Sequence, residues 1–384
     1  MEEAMSEEIK VINGEDIASV DKNFYVDRSL KYPLVWYDVK CAPLDLYGIM
    51  RSADNSTYVR LPENVAEKVN DGVQSLNYMP AGARVRFSTD SPYIALKCKY
   101  KKLSKFPHMP ATGTSGFDLY LDTDYDSVYY RTFIPDIKNG ETGYVCSGEL
   151  TQREGMNSYT VNFPLYNRMD EVYIGIAPDA VMDHGKRYTI EKPIVFYGNS
   201  VTQGGCASRP GNAYTAMVAR WLDADHINLG FSGSGRAEKD MMEYIASLDM
   251  SFLVYDYDHN AGSVDYLKSS HERGFKQFRE KQPDTPVIML SMPNWEWKNQ
   301  TYCFDGGTVP FGYAKYRRDV IYNTYSNAIK AGDERVMFVD GRSYFACRNR
   351  YDCTVDGSHP NDLGMYKMAE GITDAIELFL RKLK

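Results

Sequence analysis

From Ile194 onward the sequence changes rhythm, and that change limits the fold more than any other feature. Short apolar, β-branched runs at 194–197, 226–229, 252–255, 287–290 and 336–339 alternate with stretches of helical spacing near 212–222, 238–247, 264–281, 315–331 and 362–383. Strands joined by helices of this length predict a parallel, doubly wound sheet, because a parallel pair needs a long crossover. In such a sheet the loops leaving the carboxyl ends of the strands converge on one edge, where open α/β folds keep their sites. Ser200, Gly233, Asn260, Asn294 and the loop around Asp356 all follow a strand in this way.

The stretch KPIVFYGNSVTQGG, residues 192–205, carries the chemistry. Ile194 to Tyr197 reads as a strand buried on both faces, and Gly198, Asn199 and Ser200 break it. A serine on a strand-to-helix turn exposes its hydroxyl at the sheet edge, near a helix amino end that favours developing negative charge. Taken alone, the stretch fits a polar capping turn equally well. Asp356-Gly357-Ser358-His359-Pro360 near the other end of the chain decides between the two. An acid three residues before a histidine, on a loop entering a helix, can bond Nδ1–H and leave Nε2 to take a proton from a serine. Asn361 or Asp362 is placed to cap that helix. The order Ser, Asp, His is that of α/β-hydrolases, but there is no G-x-S-x-G elbow.

Gly198-Asn199-Ser200-Val201-Thr202-Gln203-Gly204 resembles the first block of the SGNH (GDSL-like) hydrolases. Asn228 to Gly235 resembles the second block, whose glycine, matched to Gly233, gives a backbone N–H to the oxyanion hole. Tyr255 to Asn260 stands where the third block has its asparagine, and Ala261 follows Asn260 in place of an acid. Asp356 and His359 form the fifth block. The resemblance covers roughly 190–384 and implies a flavodoxin-like sheet. It also implies Ser200 as nucleophile, His359 as base, Asp356 as its orienting acid, and an oxyanion hole from Ser200, Gly233 and Asn260. In the first half, Gly116-Phe117-Asp118-Leu119-Tyr120 is similar to the G-x-D-L-Y signature of a β-rich domain that precedes some SGNH esterases, and Leu165-Tyr166 and Ile174-Gly175-Ile176 to its closing strands.

That first half reads as short alternating strands: 35–37, 85–87, 93–96, 117–120, 127–130, 159–161 and 171–174. Little helical spacing interrupts them, and the pattern predicts an all-β jelly-roll-like sandwich. The expected organisation is a leader over 1–22, the sandwich over 23–187 and the hydrolase domain over 188–384. The dense tyrosine suits strand packing and also sugar stacking, with packing preferred. A net charge of −8 argues against nucleic-acid or anionic-membrane binding, and no apolar run is long enough to span a bilayer. The acidic start MEEAMSEEIK lacks a signal-peptide pattern, so a cytoplasmic protein is expected, or a secreted one whose signal has been removed. The seven scattered cysteines, with no C-x-x-C, read as free thiols, and Cys206 as structural.

The expected activity is serine ester hydrolysis with no cofactor and no metal. Asp256, Asp258 and His259 are read as loop caps in preference to a metal cluster. Trp295 and Trp297, after the fourth strand, are candidate sugar platforms if they are not core residues. Acetylated oligosaccharide is the leading substrate, another small ester the alternative. A short-chain lipid or phospholipid acylhydrolase and an inactive sugar-binding protein are the competing readings. The oligomeric state is left open.

Overall fold

The computed structural model describes residues 30–136, 143–149, 155–293, 313–346, 348 and 351–382. Every parallel strand expected from the sequence is present. The strands pair in the order Ala224–Gly230, Ile190–Gly198, Phe252–Asp256, Val287–Leu290, Val336–Val339, all parallel. This is the 2-1-3-4-5 order of flavodoxin-like sheets.

Alternation along each strand divides its side chains between two cores. Val195, Tyr197, Leu229, Leu253, Tyr255, Val287 and Met289 face one side, under the helices Lys239–Ala246, Val264–Lys281 and Tyr313–Lys330. Ile194, Phe196, Phe252, Val254, Ile288 and Leu290 face the other, under Tyr214–Trp221 and Asp362–Lys382. Each fully buried aliphatic or aromatic side chain contributes about 1.5–3 kcal/mol, which is why near-continuous apolar strands mark a doubly covered sheet.

Before residue 190 the described strands are antiparallel; apart from the small pair Met50–Arg51 and Tyr58–Val59, they form two sheets. One has the order Val35–Asp38, Met169–Ile176, Tyr93–Tyr100, Gly143–Glu149. The other runs Met182–His184, Arg84–Thr89, Asn157–Asn162, Phe117–Asp122, Ser127–Phe133, with Asp45–Tyr47 also pairing with Arg84–Thr89. Val85, Phe87, Leu119, Leu121, Tyr159 and Val161 from one sheet pack on Ile94, Leu96, Val172 and Ile174 from the other, giving the expected sandwich.

Among the short helices not expected from the sequence are Glu63–Val69 and Asp71–Leu76. Their apolar residues lie outside the sandwich core: Ala66 and Val73, with Leu61 just before the first helix, join the core under Lys239–Ala246. The antiparallel half therefore reaches across and completes one face of the parallel half.

Candidate active site

The serine turn is built by close packing and capping. A Cβ at Gly198 would lie 2.0 Å from Thr202 Oγ1 and 2.5 Å from the Asp256 carbonyl oxygen, so the strand can end this tightly only on glycine. Asn199 caps a single helical turn, Ser200–Gln203, accepting from the N–H of Val201 at 2.7 Å and of Thr202 at 3.4 Å. Its own amide donates to the Asp256 carbonyl at 2.6 Å, tying the turn to the neighbouring strand. Beneath it, Thr202 Oγ1 and the Tyr214 hydroxyl donate to Asp256 Oδ2 at 3.1 and 3.0 Å. Burial, with Asp258 nearby, pushes the Asp256 carboxyl well above the usual range. Asp256 thus supports the turn from inside the core.

On this turn Ser200 is 9 % exposed, and its Oγ lies 2.9 Å from His359 Nε2. His359 Nδ1 lies 2.8 Å from Asp356 Oδ2, with side chains 12 % and 21 % exposed. The loop is a small self-bonded unit. Asp356 Oδ1 accepts from the N–H of Ser358 at 2.9 Å and of His359 at 2.8 Å, while Val355 N donates to the His359 carbonyl at 2.9 Å. Asn361 Oδ1 accepts from Gly364 N at 3.1 Å at the start of Asp362–Lys382. Burial opposes charge on Asp356, yet the bonds from the His359 ring and from these two N–H groups hold its carboxyl well below the usual range. Asp356 is therefore an anion that fixes the histidine with Nε2 toward Ser200.

The other predicted residues flank this line. Gly198 is in register with Gly230 on one side and with Asp256 on the other, so the loops after all three strands leave the sheet side by side. Gly233 has φ +66°, with nothing within 4 Å of where a Cβ would stand, so the backbone conformation alone calls for glycine. Asn260 departs from the expected oxyanion geometry. Its Nδ2 donates to the carbonyls of Phe231 and Gly235, each at 2.9 Å, which uses both amide hydrogens to hold the loop that carries Gly233. Asp258 Oδ2 accepts from Met292 N at 2.9 Å, a loop contact like those the sequence reading assigned to this acidic stretch. Trp295 and Trp297, and Asn294 beside them, lie outside the described residues.

Several contributors from the antiparallel half were not found in the sequence. The Tyr166 hydroxyl, on a buried side chain, donates to the Ser200 carbonyl at 3.2 Å. Gln203 links three parts: its Nε2 donates to the Leu165 carbonyl at 3.2 Å, and its Oε1 accepts from Ser232 N at 3.0 Å. Asp118 Oδ2, fully buried, accepts from Arg209 at 3.0 Å and from Gly211 N at 2.8 Å. Period two offered one signal: Phe117 and Leu119 face the sandwich core, leaving Asp118 and Tyr120 on the opposite face. Cys206 lies beside the triad without being a rival nucleophile, because burial and the Asp356 carboxylate push its thiol up to about 12.

Two family models match the chain. Residues 191–377 fit the GDSL-like lipase/acylhydrolase family, and residues 34–182 fit the N-terminus of SGNH-hydrolase-type esterases. No curated protein matches it. Among solved structures it is similar to a protein described as a GDSL-like lipase from Bacteroides ovatus, at 26 % identity over 91 % of this chain and 98 % of that one, with a TM-score of 0.79. A salicylyl-acyltransferase from a tetracycline biosynthetic pathway follows at 18 % identity, 88 % and 95 % coverage and a TM-score of 0.69. A family two carbohydrate esterase from Cellvibrio japonicus, at 10 % identity and 92 % and 99 % coverage, has a TM-score of 0.55. The last two likenesses concern the fold.

Proposed function

The chain belongs to the GDSL-like lipase/acylhydrolase family, and on that premise we propose that it hydrolyses carboxylic esters through an acyl-enzyme on Ser200. The observation that carries the reading is the line of short contacts from Ser200 Oγ through the His359 ring to Asp356 Oδ2. Ser200 Oγ attacks the ester carbonyl and its proton passes to His359 Nε2. Asp356 keeps the ring in the required tautomer and stabilises the imidazolium that forms. The N–H groups of Ser200 and Gly233 receive the tetrahedral oxygen, and each such donor lowers the barrier by about 2.7–4 kcal/mol. His359 then protonates the departing alcohol. In the second half it takes a proton from water, which attacks the acyl carbonyl and releases the acid and Ser200.

The finer reading is a short acyl group, acetyl first, on a carbohydrate. Its support is the pair Trp295 and Trp297 after the fourth parallel strand, together with a fold shared with a carbohydrate esterase. Ser200→Ala tests the reaction: hydrolysis of 4-nitrophenyl acetate is expected to fall at least about a thousandfold, with the melting temperature unchanged. Rates near wild type would sink the nucleophile assignment. Acetate release from acetylated xylan or mannan oligosaccharides, set against 4-nitrophenyl esters of longer acids, tests the substrate. A preference for the longer acyl chains would replace the sugar reading with a lipid one.

A further inference from the structure

Three groups that bind soft and borderline metals meet beside the nucleophile, and the ester chemistry uses only one of them. His108 comes from the segment between the Tyr93–Tyr100 strand and the Ala111–Thr114 helix, Cys206 from the turn after Ser200–Gln203, and His359 from the loop before Asp362–Lys382. A ring nitrogen of each histidine and the Cys206 sulfur all lie within 4.8 Å of one another. The two imidazole rings stand 5.8 Å apart, centroid to centroid. Cys206 Sγ is 3.5 Å from the His108 carbonyl, which joins the two segments.

We propose that His108, Cys206 and His359 form a zinc site that switches the esterase off. Two nitrogens and one sulfur match the ligands of tetrahedral zinc, with the fourth position left to water or to Ser200 Oγ. Bonds of about 2.0–2.3 Å to zinc put tetrahedral ligands about 3.5 Å apart, so the cluster has to close by about 1 Å. The exposed His108 side chain is the one able to move and also the one that meets zinc from solvent.

His359 is already arranged as a zinc ligand. Its Nδ1 is bonded to the Asp356 carboxylate at 2.8 Å, the outer contact that fixes and strengthens metal-bound histidines. Nε2 is therefore the atom that meets the metal, and it is also the atom that takes the Ser200 proton. Zinc binding breaks the Ser200–His359 contact and displaces the thiol proton of Cys206 to solvent.

A second observation concerns the backbone. Cys206 has φ +71°, a left-handed conformation that strains a side-chain-bearing residue and costs glycine almost nothing. Gly204, at φ +103°, already meets this conformation with glycine two residues earlier, whereas at 206 the turn carries a sulfur beside the catalytic histidine. Strain of this kind at a site points to a use for the side chain.

The inhibition depends on His359 being the general base, so the test reads binding and hydrolysis separately. Cobalt, as a spectroscopic stand-in for zinc, is expected to give a thiolate-to-cobalt charge-transfer band with Ser200→Ala protein, and none after Cys206→Ser. In the hydrolysis arm, saturating zinc in a non-chelating buffer is expected to lower wild-type turnover at least about tenfold, with full recovery on adding EDTA. Cys206→Ser and His108→Ala are expected to keep basal hydrolysis and to need at least about tenfold more zinc for the same inhibition, since loss of even an outer contact weakens metal affinity about 10–100-fold. No thiolate band, or equal zinc sensitivity in all three proteins, would overturn the site. Basal hydrolysis surviving His359→Ala would instead overturn the catalytic reading and leave the cobalt result standing.

Discussion

At the scale of single residues the least expected finding is Asn260. Read from the sequence, it is an oxyanion donor; in the structure its amide bonds the carbonyls of Phe231 and Gly235 on the adjacent loop. Ser234 N and Gly235 N both donate to the Phe231 carbonyl as well, at 2.9 and 3.2 Å, so the loop presenting the Gly233 N–H is closed by these four contacts. Asn260→Ala removes two bonds worth about 0.5–1.5 kcal/mol each and exposes two carbonyls to poorer partners. The expected result is a fall in kcat of about tenfold or more with little change in KM, together with faster amide exchange across 231–235. Asn260→Asp keeps the size but sets a carboxylate against two carbonyls, and is expected to be worse than alanine. If kcat falls while exchange is unchanged, Asn260 faces the oxyanion directly and the loop-holding role is wrong. Ser200, His359 and Asp356 were legible because their chemistry is written in residue type and position at strand ends. The partners of Asn260 were not legible, because they are backbone carbonyls, which every residue offers.

At the scale of elements, the segment between the Ser200–Gln203 turn and the Tyr214–Trp221 helix ties the catalytic loops together. On one side Asp118 accepts from Arg209 and Gly211 N. On the other, Asp362, three residues after His359, accepts from Ser208 N and from Asn212 Nδ2, each at 2.8 Å. The Phe117–Asp122 strand thus positions both the serine turn and the histidine loop through one connecting segment. Burial raises the Asp118 carboxyl above its usual range, and Arg209 together with the bonds from Asn162 and Gly211 N opposes that shift. Asp118→Ala leaves Arg209, whose side chain is 20 % exposed, without its carboxylate, a change that costs about 3–5 kcal/mol when a buried pair is broken. The expected outcome is a lower melting temperature and a kcat that falls more than KM rises, because the triad spacing loosens. A stability loss with kcat intact would show a purely structural clasp. The strands and long helices were legible because each repeats its period over enough residues to be read. Glu63–Val69 and Asp71–Leu76 were not, being too short for a periodic window, and the Asp118–Arg209 contact joins residues far apart in sequence with no local spacing to announce it.

At the scale of the whole molecule, buried histidines on both sides of the parallel sheet set how it answers acid. His226, in the Ala224–Gly230 strand, is 2 % exposed, and neither ring nitrogen has a hydrogen-bond partner among the described residues. Burial, with Arg84 and Arg220 nearby, keeps its imidazole well below the ordinary range. His271, in the Val264–Lys281 helix, packs its ring 4.7 Å from that of Tyr255 and 5.7 Å from that of Tyr257, and burial lowers it to about 3. Both are neutral in the folded protein and take up a proton on unfolding at mildly acidic pH. Between an unfolded value near 6.5 and these lowered folded values the unfolded chain holds more protons, so stability rises with pH across that window. Their contribution is therefore complete above about pH 6.5 and is lost as pH falls below it, for His271 down to about 3, at up to about 1.4 kcal/mol per pH unit for each histidine. The melting temperature is expected to be nearly level from pH 8 to 7 and to drop steadily from 6.5 to 4.5. His271→Gln, which keeps a polar group for Thr324 Oγ1, now 2.9 Å from His271 Nδ1, is expected to make that decline shallower. A melting temperature that stays level down to pH 4.5, or a variant whose slope equals wild type, would place the acid sensitivity elsewhere. The consequence reaches the site, because Ala224–Gly230 carries the Gly233 loop and Val264–Lys281 follows Asn260. The two buried histidines that set the acid response thus belong to the two elements that build the oxyanion side of the catalytic edge.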